Sequence, residues 1–343
     1  MICSLGCSAP QTVVDAAVTL LDSQERASPD KLVSMKKIEH SDLSVYELCL
    51  GTNTFGWTSS PEQSFAVLDA YVGGGGNFLD TADVYSAWAD GNVGGESEKV
   101  IGEWLSKQKG RRDEVVIATK IGKLSPYDGQ SPTNVRRAVE DSLRRLRTDH
   151  IDLLYAHAED PKNPTDPAVF AQLAQEGKIR YWGLSNHRPN VVEEVLEAAA
   201  EQGVPTPVAL QPHYNLAFRK EYEDGLRKVA ESFSLSVFPY FSLASGLLTG
   251  KYDLGESLSG HRASMVEPYL QEGTPKLLST LKKVADELNV EPASVAIAWL
   301  LAQPTVTAPI ASARTAEQLP ALLEGTTLTL TPDQLAALNE ASA

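Results

Sequence analysis

The sequence predicts an α/β protein folded as a (β/α)8 TIM barrel, with a hairpin before the barrel and extra helices late in the chain. From Glu47 onward, eight short β-rich apolar runs alternate with amphipathic helical stretches. These eight units occupy roughly 280 residues, a size typical of this barrel. A doubly wound open sheet, the rival fold, usually carries G-x-G-x-x-G after its first strand, but the turn here reads Gly51-Thr52-Asn53-Thr54-Phe55-Gly56. The barrel is therefore the predicted fold.

The predicted strands are short runs of apolar and β-branched residues, each bounded by turn-forming or helical segments. In chain order they are Glu47 to Leu50, Asn77 to Leu79, Val115 to Thr119, Ile151 to Tyr155, Tyr181 to Leu184, Val208 to Leu210, Ser236 to Tyr240 and Val306 to Pro309.

The helices between these strands have recognisable start signals. Ser60-Pro61-Glu62 and Ser131-Pro132-Thr133 place a capping serine before a proline at the first helical position, and Pro189 follows Asn186 in the same manner. The predicted helices span residues 61–72, 96–108, 132–146, 166–176, 189–202, 219–233 and 315–323, with two more, 275–288 and 292–302, between the seventh and eighth strands.

The first 34 residues differ from the rest of the chain. A short helix-like stretch, Val13 to Leu21, is followed by a polar segment, Asp22 to Asp30. We expect residues 1–34 to be either an appended extension without chemistry or a region before the natural start at Met35. The barrel domain is then predicted to span residues 35–343.

Two further segments belong to the bottom face of the predicted barrel. The alternation from Met35 to Val45 predicts a hairpin that closes this face. The glycine run Gly73 to Gly76 comes before a strand rather than before a helix. It therefore indicates a helix stop and a tight turn, not a phosphate-binding loop.

Charge and hydropathy exclude several classes of partner. The chain has 30 basic and 45 acidic residues, a formal net charge of −15, and it lacks a Lys/Arg-rich run, so nucleic acid is not an expected partner. No apolar stretch approaches the roughly 20 residues that cross a bilayer, and the start lacks a signal-peptide pattern. We expect a cytoplasmic protein without a membrane partner, and its oligomeric state cannot be read from the sequence.

Cysteine and histidine patterns argue against disulfide and metal chemistry. The three cysteines, Cys3, Cys7 and Cys49, are too few and too scattered for a disulfide framework. The six histidines show neither H-E-x-x-H nor a cysteine partner pattern, so we predict no metal site. A G-x-S-x-G nucleophile elbow is also missing from the sequence.

Three consecutive strand ends supply the candidates for chemistry. Asp80 and Tyr85 follow the second strand, Lys120 follows the third, and His157 follows the fourth. In a barrel of this type the carboxyl ends of the strands converge on one mouth, so residues far apart in sequence can share a site.

Together these four residue types suit the reduction of a carbonyl group. The developing alkoxide must be stabilised and then protonated, and the hydroxyl of Tyr85 can provide the proton. We expect the ammonium of Lys120 to lower the pKa of Tyr85, and the carboxylate of Asp80 to keep Lys120 charged. His157 would orient the carbonyl oxygen or relay a proton.

With these residues in place, the sequence from about Met35 to its end resembles the aldo-keto reductases. The family's catalytic aspartate and tyrosine correspond to Asp80 and Tyr85, its lysine to Lys120 and its histidine to His157. The resemblance implies NADP(H) as the cofactor, bound in extended form across the barrel mouth.

The resemblance also implies the residues that hold this cofactor. Gly183-Leu184-Ser185-Asn186 and Gln211 are similar to the nicotinamide carboxamide site, and Tyr240 occupies the position of the stacking aromatic ring. The stretch from Phe241 to Lys251 resembles the loop that covers the pyrophosphate. The implied cofactor residues are Gly51, Thr52, Asp80, Ser185, Asn186, Gln211, Tyr240, Phe241, Ser242, Leu243, Gly246, Lys251, Arg262, Ser312, Arg314 and Gln318.

Ser312 and Arg314 lie in a segment similar to the adenosine site, where a hydroxyl and a guanidinium suit a 2′-phosphate and favour NADPH over NADH. One position departs from the family pattern. Many relatives carry an asparagine four residues after Gln318, whereas this chain has Leu322.

The loop after Tyr85, residues 86–95, is longer than in compact members of the family. Trp57, Trp88 and Phe55 are therefore our candidates for substrate walls, and Tyr85 and His157 would also face the substrate. Trp88 could equally pin its own loop against the barrel.

The leading hypothesis is an NADPH-dependent reductase of an aldehyde or ketone, with a sugar or a xenobiotic carbonyl as substrate. One alternative is an NADP(H)-sensing regulatory subunit resembling the beta subunits of potassium channels, which share this barrel. Another is a metal-free barrel isomerase. Loop composition does not identify the substrate, because barrel loops vary while the scaffold persists.

Overall fold

Eight parallel strands form one curled sheet in the computed structural model, which describes residues 34–251 and 263–343. A separate antiparallel hairpin precedes this sheet in the chain. The strands are β1 (Met35–Lys37) and β2 (Ser44–Tyr46) of the hairpin, followed by β3 (Cys49–Gly51), β4 (Phe78–Asp80), β5 (Val116–Ile121), β6 (Ile151–Ala156), β7 (Ile179–Ser185), β8 (Ala209–Gln211), β9 (Ser236–Val237) and β10 (Ile310–Ala311).

The two ends of the sheet meet, so the sheet closes into a barrel. Its strand order is β10-β3-β4-β5-β6-β7-β8-β9, with every neighbouring pair parallel. At the seam, Thr307 N donates to Val237 O at 2.9 Å, and Ile310 N donates to Pro239 O at 2.8 Å. The predicted (β/α)8 barrel is thereby confirmed.

Helices surround the barrel and largely begin where the capping signals predict. Ser60 and Ser131 accept hydrogen bonds from the backbone N–H groups of Gln63 and Asn134, each with a proline in the first turn. The helices are α1 (Pro61–Gly73), α2 (Glu96–Ser106), α3 (Pro132–Leu146), α4 (Pro167–Gln175), α5 (Pro189–Gln202), α6 (Arg227–Phe233), α7 (Ala263–Val266), α8 (Thr274–Leu288), α9 (Pro292–Leu301), α10 (Leu319–Thr327) and α11 (Pro332–Ala341). In the described ranges, no helix combines the length and apolarity that spanning a membrane would require.

Some elements differ from the prediction. Strand β9 ends at Val237 because Pro239 has no N–H to donate to the ladder, and β10 starts after Pro309 rather than at Val306. The predicted helix 219–233 instead begins with a π-helical turn at Tyr222–Leu226. Helix α11 was not predicted, although Thr331 and Gln334 form a capping box at its start that the sequence displays.

The hairpin covers the amino-terminal end of the barrel, as predicted. Ile38, Leu43 and Val45 join a buried cluster inside the barrel that includes Phe78 and Phe238. Because these side chains fill the bottom of the barrel, the opposite mouth is the end at which polar groups gather.

The glycine run after α1 stops a helix and leads into β4, as predicted. Gly74 caps α1 and Gly75 has φ +93°, a conformation that favours glycine. A Cβ on Gly76 would lie 2.3 Å from the ring of Tyr71, whose hydroxyl donates to the carbonyl of Leu48. The run therefore holds α1 close to the first barrel strands.

We expect Gly76→Ala to destabilise the protein by about 1–3 kcal/mol, because the new methyl group must displace the buried Tyr71 ring. Gly73→Ala is the matched control, since among the described residues no atom beyond its chain neighbours and its own helix backbone lies within 4 Å of its Cβ position. Unfolding in urea, followed by circular dichroism, measures both variants. Equal midpoints for Gly76→Ala and the wild type would contradict this account of the turn.

Candidate active site

The strand register brings the four predicted catalytic residues to one mouth of the barrel. Asp80 is the last residue of β4, and Lys120 lies one residue before the end of β5. His157 directly follows β6, and its backbone N–H donates to the backbone carbonyl of Ile121 at 3.0 Å. Tyr85 lies in the loop that follows Asp80, so the segments that carry these side chains are adjacent in the sheet.

A buried ion pair joins Asp80 and Lys120. Their side chains are 1% and 2% exposed, and Lys120 Nζ lies 2.6 Å from Asp80 Oδ2. Lys120 Nζ also donates to Thr81 O at 2.7 Å, while Gln211 Nε2 donates to Asp80 Oδ1 at 2.8 Å. Because both charges are hydrogen-bonded, the desolvation of the pair is compensated.

The hydroxyl of Tyr85 lies against this pair. It donates to Asp80 Oδ2 at 3.3 Å, and Lys120 Nζ lies 4.8 Å from the centroid of the tyrosine ring. Burial, followed by the negative charge of Asp80, raises the pKa of Tyr85 well above its ordinary value. This direction is opposite to the lowered pKa expected from Lys120, whose charge is paired with the carboxylate of Asp80.

His157 is an uncharged imidazole at the edge of the site. Burial and the charges of Lys120 and Lys123 lower its pKa well below the ordinary value. Its Nδ1 atom is buried and has no hydrogen-bond partner in the described part of the chain. A neutral ring of this kind can hold a polar atom of a ligand by hydrogen bonding.

The residues predicted to bind the nicotinamide carboxamide lie directly beside His157. Asn186, with φ +55°, follows the last residue of β7, and its Nδ2 donates to His157 O at 2.8 Å and to Ser185 Oγ at 3.0 Å. Ser185 Oγ donates to Gln211 O at 2.9 Å, and Tyr240 OH donates to Asn186 Oδ1 at 2.7 Å. One continuous polar network thus joins the ends of β7 and β8 to the catalytic candidates.

The loop after Tyr240 has the backbone conformation of an anion-binding nest. Phe241, Ala244, Ser245 and Gly246 all have positive φ, so successive N–H groups can point to one concave surface. The hydroxyl of Ser245 is buried and has no partner among the described residues. This unsatisfied donor and the nest fit a phosphate group.

The other predicted members of this loop are less direct candidates. Ser242 Oγ donates to Pro239 O at 3.1 Å, and Leu243 packs against the core. Lys251 is exposed, while Arg262 lies outside the described residues, so its predicted role stays a prediction.

The residues predicted to bind the adenosine part of the cofactor lie where β10 meets β3. A Cβ on Gly51 would lie 2.8 Å from Ser312 Oγ, which donates to Asn53 Oδ1 at 2.8 Å. Arg314 is exposed, and its backbone N–H donates to Gln318 Oε1 at 2.9 Å. Leu322, where many relatives carry asparagine, is buried in α10.

The hydroxyl of Thr52 is engaged inside the protein. It donates to Asp80 O at 2.9 Å and lies 2.7 Å from Ser97 Oγ. Thr52 therefore supports the end of β4, and its backbone N–H also donates to Asp80 O at 3.0 Å.

Two of the three predicted substrate-wall residues meet at the mouth. The rings of Trp57 and Trp88 contact edge to face with centroids 5.6 Å apart, and Trp88 lies 6.1 Å from the ring of Tyr85. Trp88 is 49% exposed, as a wall residue without a ligand would be. Phe55, in contrast, is fully buried in the hydrophobic core, so its contact with substrate stays a prediction.

Sequence reasoning missed a buried acidic pair behind the site. Glu98 is completely buried and accepts hydrogen bonds from Arg145 Nε and Thr119 Oγ1, both at 2.6 Å. Asp83 accepts a bond from Gly122 N at 3.2 Å, and its second oxygen is buried without a partner in the described ranges. The acidic residue three positions after Asp80 was visible in the sequence, but its burial was not.

We expect Asp83→Asn to reduce the pH dependence of stability. Burial, together with the nearby charge of Glu98, raises the pKa of Asp83 to about 7. The folded protein thus binds this proton more tightly than the unfolded chain, where an aspartate titrates near about 4. Its stabilising effect is complete below the unfolded pKa and is lost as the pH rises through about 7.

Urea unfolding of the wild type and of Asp83→Asn between about pH 5 and pH 8 measures this effect. The asparagine can still accept from Gly122, so the variant should lose less stability than the wild type as the pH rises. Asp90→Asn, at an exposed position of the same loop, is the control. Parallel pH profiles for Asp83→Asn and the wild type would refute the assignment.

Comparisons with known proteins agree on one family. Residues 47–343 match the Aldo/keto reductase family. The chain is 32% identical to Protein tas of Escherichia coli over 334 residues, covering 88% of this chain and 95% of that protein. It is 33% identical to the uncharacterized oxidoreductase YrpG of Bacillus subtilis, covering 87% and 92%. It is also 31% identical to a probable voltage-gated potassium channel subunit beta of Oryza sativa, covering 83% and 88%.

Proposed function

This chain belongs to the aldo/keto reductase family of oxidoreductases, and from that premise we propose that it reduces an aldehyde or ketone to an alcohol with NADPH. The observation that carries the proposal is the contact of a protonated tyrosine, Tyr85, with the buried pair Asp80 and Lys120. Bound NADPH would supply the hydride for the carbonyl carbon. The protein would supply the proton.

Each of the four residues has a role that follows from its surroundings. Tyr85 keeps its proton at neutral pH and would donate it to the carbonyl oxygen as negative charge develops there. Lys120 would stabilise the tyrosinate that remains, and Asp80 is paired with Lys120 at 2.6 Å. His157 would orient the carbonyl oxygen through its neutral ring.

The residues at the mouth fit the proposed cofactor. Ser185, Asn186 and Gln211 offer the hydroxyl and amide groups that a carboxamide requires, and Tyr240 offers a ring for stacking. The positive-φ loop that contains Ser245 suits the pyrophosphate. The exposed guanidinium of Arg314 suits a 2′-phosphate, which favours NADPH over NADH.

We further propose that the catalytic unit spans residues 35–343 and acts in the cytoplasm on a small carbonyl compound. Its net charge of −15 supports the view that nucleic acid is not a partner.

A second candidate function is an NADP(H)-sensing regulatory subunit. It is favoured by the similarity to proteins of Oryza sativa, Arabidopsis thaliana and Schizosaccharomyces pombe that are named probable or putative voltage-gated potassium channel beta subunits. A slow chemical step with tightly retained cofactor, together with capture of a membrane partner, would favour this function over the first.

We expect Tyr85→Phe to lower kcat by about 100-fold or more while the Kd for NADPH changes little, because only the proton donor is removed. A panel of sugars, dicarbonyls, and aliphatic and aromatic aldehydes, followed by NADPH consumption, measures turnover, and quenching of protein fluorescence measures binding. Tyr181→Phe, at the hairpin end of the barrel, is the matched control. Undiminished turnover by Tyr85→Phe would refute the role of this residue.

Arg314→Ala should raise the Kd for NADPH by about tenfold or more and leave the Kd for NADH nearly unchanged, because only NADPH carries the 2′-phosphate. Titration of both cofactors by fluorescence tests this. Arg227→Ala, on the outer helix α6, removes the same charge elsewhere and serves as the control. An equal change for both cofactors would show that Arg314 does not read the phosphate.

A further inference from the structure

Lys123 lies at the mouth of the barrel, in the loop that follows β5. Residues Ile121 and Ala156 pair in the β5–β6 ladder, and His157 N donates to Ile121 O. Lys123 therefore begins its loop beside His157. None of the catalytic, cofactor or substrate roles described above involves Lys123.

The start of this loop is fixed by its backbone contacts. Gly122 has φ +102°, and its N–H donates to Asp83 Oδ2 at 3.2 Å while its carbonyl accepts from Gly129 N at 2.9 Å. A Cβ on Gly122 would lie 2.4 Å from Gln130 Nε2. Lys123 thus extends from a defined point at the mouth.

The ammonium of Lys123 has no carboxylate within 4.0 Å among residues 34–251 and 263–343, whereas the nearby Lys120 is paired with Asp80. Lys123 is an exposed residue, and its pKa is lowered by its partly desolvated surroundings and then by the like charge of Lys120. A negatively charged group beside Lys123 would stabilise its charged ammonium form.

The position of β5 separates Lys123 from the proposed phosphate sites. In the closed ring of eight strands, β5 and β9 are four strands apart in either direction, so they lie on opposite sides of the barrel. The nest that suits the pyrophosphate follows β9, and Ser312 and Arg314 follow β10. The charge of Lys123 is therefore available to the substrate rather than to the cofactor.

The loop that carries Lys123 adjoins the loop that carries Trp88. A Cβ on Gly94 would lie 2.4 Å from Leu124 Cδ1, so the loop that carries Trp88 packs directly on the loop that carries Lys123. The proposed substrate pocket consequently has an apolar aromatic side and a cationic side within two neighbouring loops.

We propose that Lys123 selects carbonyl substrates that carry a carboxylate at the end remote from the carbonyl, with their apolar body against Trp88. This inference rests on the proposed reductase function and specifies its substrate class. In a protein of net charge −15, whose overall field repels anions, an unpaired cation at the mouth is needed to hold such a group.

Two pairs of substrates test the inference: 4-carboxybenzaldehyde against its methyl ester, and succinic semialdehyde against its methyl ester. Within each pair the aldehyde is the same and only the negative charge differs. We expect Lys123→Met to raise KM for the two carboxylates by about tenfold or more, with little change in kcat or in KM for the esters. Lys123→Arg should retain most of the wild-type preference.

Lys228→Met, at an exposed position on α6, changes the net charge equally and should leave every KM unchanged. An unchanged ratio of carboxylate to ester KM in Lys123→Met would overturn the inference and leave the reductase function intact. Reduction of none of the four aldehydes by a wild type that reduces other carbonyls of the panel would overturn the inference alone, whereas reduction of no carbonyl in the panel, despite NADPH binding, would overturn the proposed function.

Discussion

The buried ion pair between Asp80 and Lys120 is the interaction on which the rest of the site depends. Removing two charges from water is costly, and the pair persists because each partner has further hydrogen bonds, from Gln211 to the carboxylate and from the ammonium to Thr81 O. These partners come from β4, β5, β8 and the segment after β4, so the pair requires that the barrel be closed and in register. The catalytic mouth is in this sense a consequence of sheet geometry.

The apolar interior of the barrel maintains the low dielectric around this pair. The hairpin fills the amino-terminal end of the barrel with Ile38, Leu43 and Val45. The same cluster includes Cys49 of β3 and Tyr155 of β6. Burial and the charge of Asp80 raise the pKa of both Cys49 and Tyr155, so these groups stay neutral and do not compete for the lysine. We therefore expect the reaction to take place at the mouth, where the carboxyl ends of the strands lie.

Much of the fold could be predicted because the determining signals are local. Apolar runs, serine and proline caps and the glycine run after α1 each act within a few residues, and they located the strands, most helices and the strand ends that carry Asp80, Lys120 and His157. Properties that depend on distant neighbours could not be predicted. The burial of Phe55 and the raised pKa values of Asp83 and Tyr85 all depend on burial and contacts that exist only in the folded chain. Lys123 was not predicted as a site residue, because a lone lysine after a strand is ordinarily a solvated charge.

The hydrogen bond from Tyr85 to Asp80 has a consequence for how the site accepts a ligand. At 3.3 Å it is long for a bond between two oxygens, so little is lost when the hydroxyl leaves it. Asp80 Oδ2 would keep its bond from Lys120, and no buried acceptor would be stranded by the departure. The hydroxyl of Tyr85 thus donates to a weak acceptor within the protein, the carboxylate of Asp80. In the proposed reaction, a carbonyl oxygen would have only to replace that acceptor, and the exchange would leave the barrel beneath it unchanged.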